Sequence, residues 1–111
     1  MTERIKLVQG DTGPEVKATL TDQNTNQPVS LLGATVYLRL RAQGGTEILA
    51  TSTGFLNPGT AKLGQVIFPW QEGDLELPPG LYEGEIEVVF PTGVHQTVYE
   101  PLQFVVREDF D

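Results

Sequence analysis

The chain contains no cysteine. Disulfides, thiolate metal sites and cysteine nucleophiles are therefore excluded. Histidine, methionine and tryptophan each occur once. A single imidazole, that of His95, without any thiol leaves zinc without a ligand set. Positive charge is also scarce: 7 Lys and Arg stand against 15 Asp and Glu, for a net charge of −8. That balance repels nucleic-acid phosphates and anionic membrane surfaces, so neither is an expected partner. No apolar run reaches the roughly 18 residues that a membrane-spanning helix needs. The opening Met-Thr-Glu-Arg-Ile-Lys lacks the apolar centre of a secretion signal, and synthesis in a cytoplasm is expected.

What the chain has in quantity is punctuation. It holds 12 Gly and 8 Pro in 111 residues. Turn signals recur at short intervals, and alternating apolar and polar residues fill the gaps between them. No amphipathic helical pattern and no internal repeat is visible. Residues 1–111 are read as a single domain, an all-β, immunoglobulin-like antiparallel β-sandwich of seven to eight strands.

The clearest strand follows the corner Pro78-Pro79-Gly80. From there Tyr82, Gly84, Ile86, Val88 and Phe90 alternate with Glu83, Glu85 and Glu87. A period of two with one apolar and one acidic face predicts a half-buried strand. Tyr82, two residues after Gly80, is placed to lock the corner by bonding back to an upstream backbone group. A second long strand is predicted over Thr35–Arg41, with Val36, Leu38 and Leu40 inward and Tyr37, Arg39 and Arg41 outward. These two strands are expected to be neighbours, with Arg39 and Arg41 facing the Glu83, Glu85 and Glu87 row.

Further strands are predicted over Ile5–Val8, Glu15–Asp22, Thr46–Thr53, Gln65–Trp70 and Val94–Val106, the last broken or bulged at Pro101. In the Thr46–Thr53 strand Ile48 and Ala50 are expected to share a face. Val66, Phe68 and Trp70 share an inward row. Leu31 or Leu32 is expected to plug one end of the core, and Phe55 or Leu56 to tuck under the loop that holds Asn57-Pro58-Gly59. Gln71–Leu77 reads as an acidic crossing.

Chemistry is thinly signalled. His95 directly follows the Pro91–Val94 hairpin, where an exposed residue is expected rather than a general base. The Glu83, Glu85 and Glu87 row reads as a solvated face rather than a glycosidase pair. Glu72, Asp74 and Glu76 offer oxygens of the kind calcium accepts, but not the order of a dedicated calcium loop. Gly10-Asp11-Thr12-Gly13 lacks the lysine and following helix of a phosphate cradle, and reads as a turn. Trp70, Tyr37 and Tyr99 could together present an aromatic platform to a sugar. Trp70, however, continues the row of Val66 and Phe68 and reads as core. Tyr37 and Tyr99, on outer faces, are the better candidates for contact with a partner. No cofactor is expected.

Four segments in order resemble the N-terminal domain of phage baseplate upper proteins and related prophage tail proteins. They are Gln9-Gly10-Asp11-Thr12-Gly13-Pro14, Pro28-Val29-Ser30-Leu31-Leu32-Gly33-Ala34-Thr35-Val36, Gly64-Gln65-Val66 and Pro79-Gly80-Leu81-Tyr82-Glu83-Gly84-Glu85. The resemblance implies an immunoglobulin-like domain that is a non-enzymatic structural part of a virion, made in the host cytoplasm. It would act in a phage tail, baseplate or fibre attachment. Its partners would be other virion structural proteins, in a homo-oligomer or multi-copy assembly. Two alternatives stand beside it, a capsid decoration protein and a carbohydrate- or cell-surface-binding module. A hydrolase is a third, with no catalytic constellation to carry it.

Overall fold

A computed structural model describes residues 4–22, 24–98 and 101–110. Eight strands form among them: β1 (Ile5–Val8), β2 (Val16–Thr19), β3 (Thr35–Ala42), β4 (Ala50–Thr53), β5 (Gln65–Phe68), β6 (Gly80–Val89), β7 (His95–Thr97) and β8 (Leu102–Arg107). A single 3-10 turn, Ala61–Leu63, precedes β5. The fold is all-β and immunoglobulin-like, a sandwich of two unequal sheets. The larger sheet runs β1-β8-β6-β3-β4, with β7 also paired to β6; the smaller is β2-β5.

The period of two explains the layering. In β3, Val36, Leu38 and Leu40 are fully buried while Tyr37, Arg39 and Arg41 face out. In β6 the inward row is Tyr82, Gly84, Ile86 and Val88. β5 contributes Val66 and Phe68 from the opposite sheet, and β8 contributes Phe104 and Val106. These side chains close over one another as the core between the sheets.

Two glycines set the spacing. A Cβ on Gly84 would lie 2.7 Å from Phe104 Cε2, 2.9 Å from Leu38 Cδ1 and 3.0 Å from Leu40 Cδ2. The Phe104 ring therefore occupies the place that any side chain at 84 would need. At Gly54 a Cβ would lie 2.5 Å from Val66 Cγ2. This close approach lets the chain leave β4 in one sheet and bridge Phe55 to Ile67 in the other. One flank of the sandwich is closed by this crossing.

Some elements differ from the sequence-based expectation. β2 spans four residues; Leu20 N still donates to Gly64 O at 2.8 Å, but its carbonyl accepts from Val29 N at 3.0 Å and the chain turns back with Asn26 at φ 58°. β4 starts at Ala50, so Ile48 does not share its inner face and is 49% exposed. Leu56 is partly buried against the core, but Phe55 points out of the smaller sheet. Leu31 plugs the core, while Leu32 is exposed. The acidic crossing 71–77 also carries two core residues, Leu75 and Leu77. The sheet is not wholly antiparallel, since β1 runs parallel to β8 from Ile5↔Phe104 to Val8↔Arg107. No hairpin joins these two strands, so nothing local forces their directions to oppose.

Replacing Gly84 with Ala is expected to lower stability by about 1–3 kcal/mol through overpacking. Urea unfolding followed by Trp70 fluorescence measures it, and an unchanged midpoint would refute the contact account.

Candidate functional site

The outer face of the larger sheet is the first place to look for chemistry. β3 and β6 pair with Arg39 opposite Glu85 and Arg41 opposite Glu83. The side chains do not follow the register throughout. Arg41 Nε donates to Glu83 Oε1 at 2.8 Å, directly across the ladder. Arg39 Nη1 instead reaches diagonally to Glu87 Oε1 at 2.9 Å, and its guanidinium lies 4.8 Å from the centre of the Tyr37 ring. Glu85 has no ion pair within 4.0 Å among the described residues, although its Cα partner is Arg39.

His95, on β7, brings Nδ1 to 3.6 Å from the second oxygen of Glu87. Glu87 therefore sits between a guanidinium and an imidazole. The hydrogen bond from Arg39 holds its carboxyl below the usual range; partial burial opposes this, and the Arg39 charge and His95 add to it. Tyr37 is half-buried under its own arginine rather than offered bare to a partner. Tyr99 lies outside the described residues.

The remaining singled-out residues belong to the scaffold. Trp70 is buried; its indole N–H donates to Pro14 O at 2.9 Å, and its ring meets Phe104 edge-on at 6.4 Å. It cannot take part in an aromatic platform for sugars. Tyr82 is buried, and its hydroxyl donates to Pro78 O. Burial pushes that hydroxyl's pKa up. Gly80 begins β6. In the acidic crossing, Asp74 Oδ2 accepts from Gln71 N at 2.8 Å and so closes a local turn. Gly10 N donates to Leu75 O at 2.8 Å, tying the 9–14 turn to that crossing. No group of three His, Cys, Asp or Glu able to hold a metal occurs among the described residues.

Two hollows remain. One, of about 230 Å³, lies on the outer face between Arg39, Arg41, Ile48 and Glu85. The other, of about 690 Å³, lies along the flank of the sandwich opposite the Gly54 crossing. Its apolar lining is Leu20, Val29, Val88, Phe90 and Val98. Its rim is polar and almost uncharged: Thr19, Thr21, Gln27, Gln96 and Thr97, with Asp22 as the one charge. Of these two, the larger falls within the roughly 300–1,000 Å³ of ordinary ligand clefts. It is the candidate site. The sequence-based reading missed it because its residues are unremarkable one by one. The available signal was the exhaustion of inward apolar residues at the polar segment 24–28, which lines the cleft with Val88 and Phe90.

No family model matches the chain, and no curated protein matches it. Among solved structures, CopC from Methylosinus trichosporium OB3b is similar, with a TM-score of 0.53 and 13% identity over 96% of this chain and 87% of that one. At that identity the likeness is one of fold. CopC itself is a copper-binding periplasmic protein, neither a tail nor a capsid component. This finding overturns the expected virion structural role, whether in a phage tail, a baseplate or a capsid. The burial of Trp70, expected from its row, takes it out of any sugar-binding platform with Tyr37 and Tyr99.

The Arg39–Glu87 contact makes stability depend on pH in a defined direction. The Glu87 carboxyl titrates lower in the folded protein than its ordinary value of 4.5. Its stabilising contribution is thus present above that value and is lost as pH falls through the lower folded value. Replacing Arg39 with Met is expected to flatten the acid limb of a thermal-stability profile below about pH 4.5, leaving the neutral fold intact by circular dichroism. An acid limb as steep as that of the wild type would refute the assignment.

Proposed function

We propose that the protein is a non-enzymatic binding module that takes a polypeptide partner in the cleft along its open flank. The observation that carries this reading is the cleft itself: about 690 Å³ with an apolar floor and a hydrogen-bonding, nearly uncharged rim. Such a lining suits a ligand with alternating apolar and polar groups, as an extended chain segment has. The outer-face charges are already engaged with one another, apart from Glu85, and act as register and solubility devices.

The copper of the structural neighbour is not carried over to this chain. Copper sites draw on imidazole and on thiolate or thioether sulfur. Here the histidine is single and there is no cysteine, and the one methionine is Met1. His95, moreover, faces Glu87 on an exposed strand. The donor set does not fit.

Selection from a library of random linear peptides tests the reading. Enriched peptides are expected to bind the wild-type protein and to lose at least about tenfold in affinity, or ~1.4 kcal/mol, to Gln96→Arg or Thr21→Arg, which fill the rim. Both positions are exposed, so the variants are expected to fold. Peptides that bind wild type and variants alike, or no enrichment at all, would overturn it.

A further inference from the structure

One wall of the cleft runs along β7, through Gln96 and Thr97. β7 pairs with β6 through Val89↔His95, Val88↔Gln96 and Glu87↔Thr97. Phe90 N donates to Val94 O at 2.9 Å and Val98 N to Ile86 O at 2.8 Å. In an antiparallel pair the bonding positions alternate. Val94, Gln96 and Val98 therefore point their backbone groups at β6, while His95 and Thr97 point theirs the other way. No strand pairs with that far edge among the described residues. All three residues of β7 are exposed.

Among the described residues the next strand position in the sheet is filled only beside β8. β7 and β8 lie on the same side of β6, as two parts of one interrupted strand. Beside β8 the adjoining row is occupied by β1, which pairs with Phe104–Arg107. Beside β7 no described strand continues that row. This position, free of any described strand, borders the cleft, with Gln96 exposed beside the buried Val88.

Building on the polypeptide-binding reading, we propose that the partner binds as an extended strand added to the free edge of β7, in line with β1. Main-chain N–H and C=O groups of the partner would pair with those of His95 and Thr97. Its inward side chains would then fall into the cleft against Leu20, Val29 and Phe90, which calls for apolar residues. Its outward side chains would lie beside Thr97, His95 and Glu87. With a chain of net charge −8 and Glu87 on that outer face opposite Thr97, those outward positions favour Lys or Arg over Asp or Glu. A helix would not serve, because its own backbone groups are already used internally and would leave the β7 edge unpaired.

The probe is the peptide Lys-Val-Lys-Val-Lys-Val-Lys. On binding, amide exchange at His95 and Thr97 is expected to slow at least about tenfold while that at Gln96, already bonded to β6, stays as it was. Methylating alternate peptide nitrogens should abolish binding in one phase and spare it in the other. Thr97→Pro removes only the outward-facing donor and leaves the bonds to β6 in place, so it should fold and lose the peptide. A Glu-Val-Glu-Val-Glu-Val-Glu peptide should bind at least about tenfold more weakly.

Probe binding that leaves His95 and Thr97 exchange unchanged, or library peptides sensitive to Gln96→Arg but indifferent to Thr97→Pro, overturns strand addition and leaves the binding reading standing. Failure of every peptide, probe and library alike, overturns both. A concentration-dependent dimer that protects the same two amides without peptide would assign the edge to a second copy of the chain, and that too overturns the proposal.

Discussion

The structure depends on how closely β8 can approach β6. Phe104 is fully buried, and its ring lies where a side chain on residue 84 would be. Leu38 and Leu40 close the same space from β3. Glycine at 84 thus lets three adjacent strands of the larger sheet share one aromatic ring. Trp70 meets that ring edge-on, and its indole N–H reaches back to Pro14. The contact chain from β6 through Phe104 to Trp70 ties the sheet to the turn before β2. A core of this kind is packed like a crystal, so a single added methyl is felt across both layers.

Much of this was written in the alternation of the long strands. β3 and β6 are eight and ten residues long, and their inward rows can be read directly from the sequence. The short elements were harder to bound. β2 and β4 hold four residues each, which is too few for periodicity to fix an end. Leu75 and Leu77 were obscured by the acids around them, because charge in a crossing segment says nothing about the apolar residues between. The parallel pairing of β1 with β8 had no local signal, since it joins opposite ends of the chain. The cleft was invisible for a related reason. It is defined by strands that stop, and a sequence pattern marks the residues a strand has rather than the neighbour it lacks. The resemblance to phage tail domains rested on turn and corner residues, which serve the sandwich wherever it is used and carry no role of their own.

The outer face shows why charge rows are poor guides to function. Five alternating charged positions on β3 and β6 look like a site when read as text. In the folded sheet, Arg41 meets Glu83 directly and Arg39 skips its register partner for Glu87. The skip is caused by Tyr37, whose ring lies one step along the strand toward Glu87 and gives the guanidinium a face to rest on. The cost of that preference falls on Glu85, which keeps its charge in solvent at little expense. These groups favour one register between β3 and β6 and keep the outer face polar.

The unequal sheets explain why the open flank exists at all. The smaller sheet has two strands plus the Phe55 bridge, and it cannot cover a partner sheet five strands wide. One flank is closed because Gly54 lets the chain itself cross between layers. Near β1, the turn at Pro14 and the Trp70 bond pin the layers together. Only at the end where β6 passes from β8 to β7 do the inward residues Val88, Phe90 and Val98 outnumber the side chains opposite them. There the 20–29 hairpin offers Leu20 and Val29, then turns away in polar residues. A fully closed sandwich would need either a longer β2 or another strand in the row of β1. The sequence supplies Thr, Asp and Asn where a longer β2 would need apolar residues, so among the described residues this end of the core stays open along the flank.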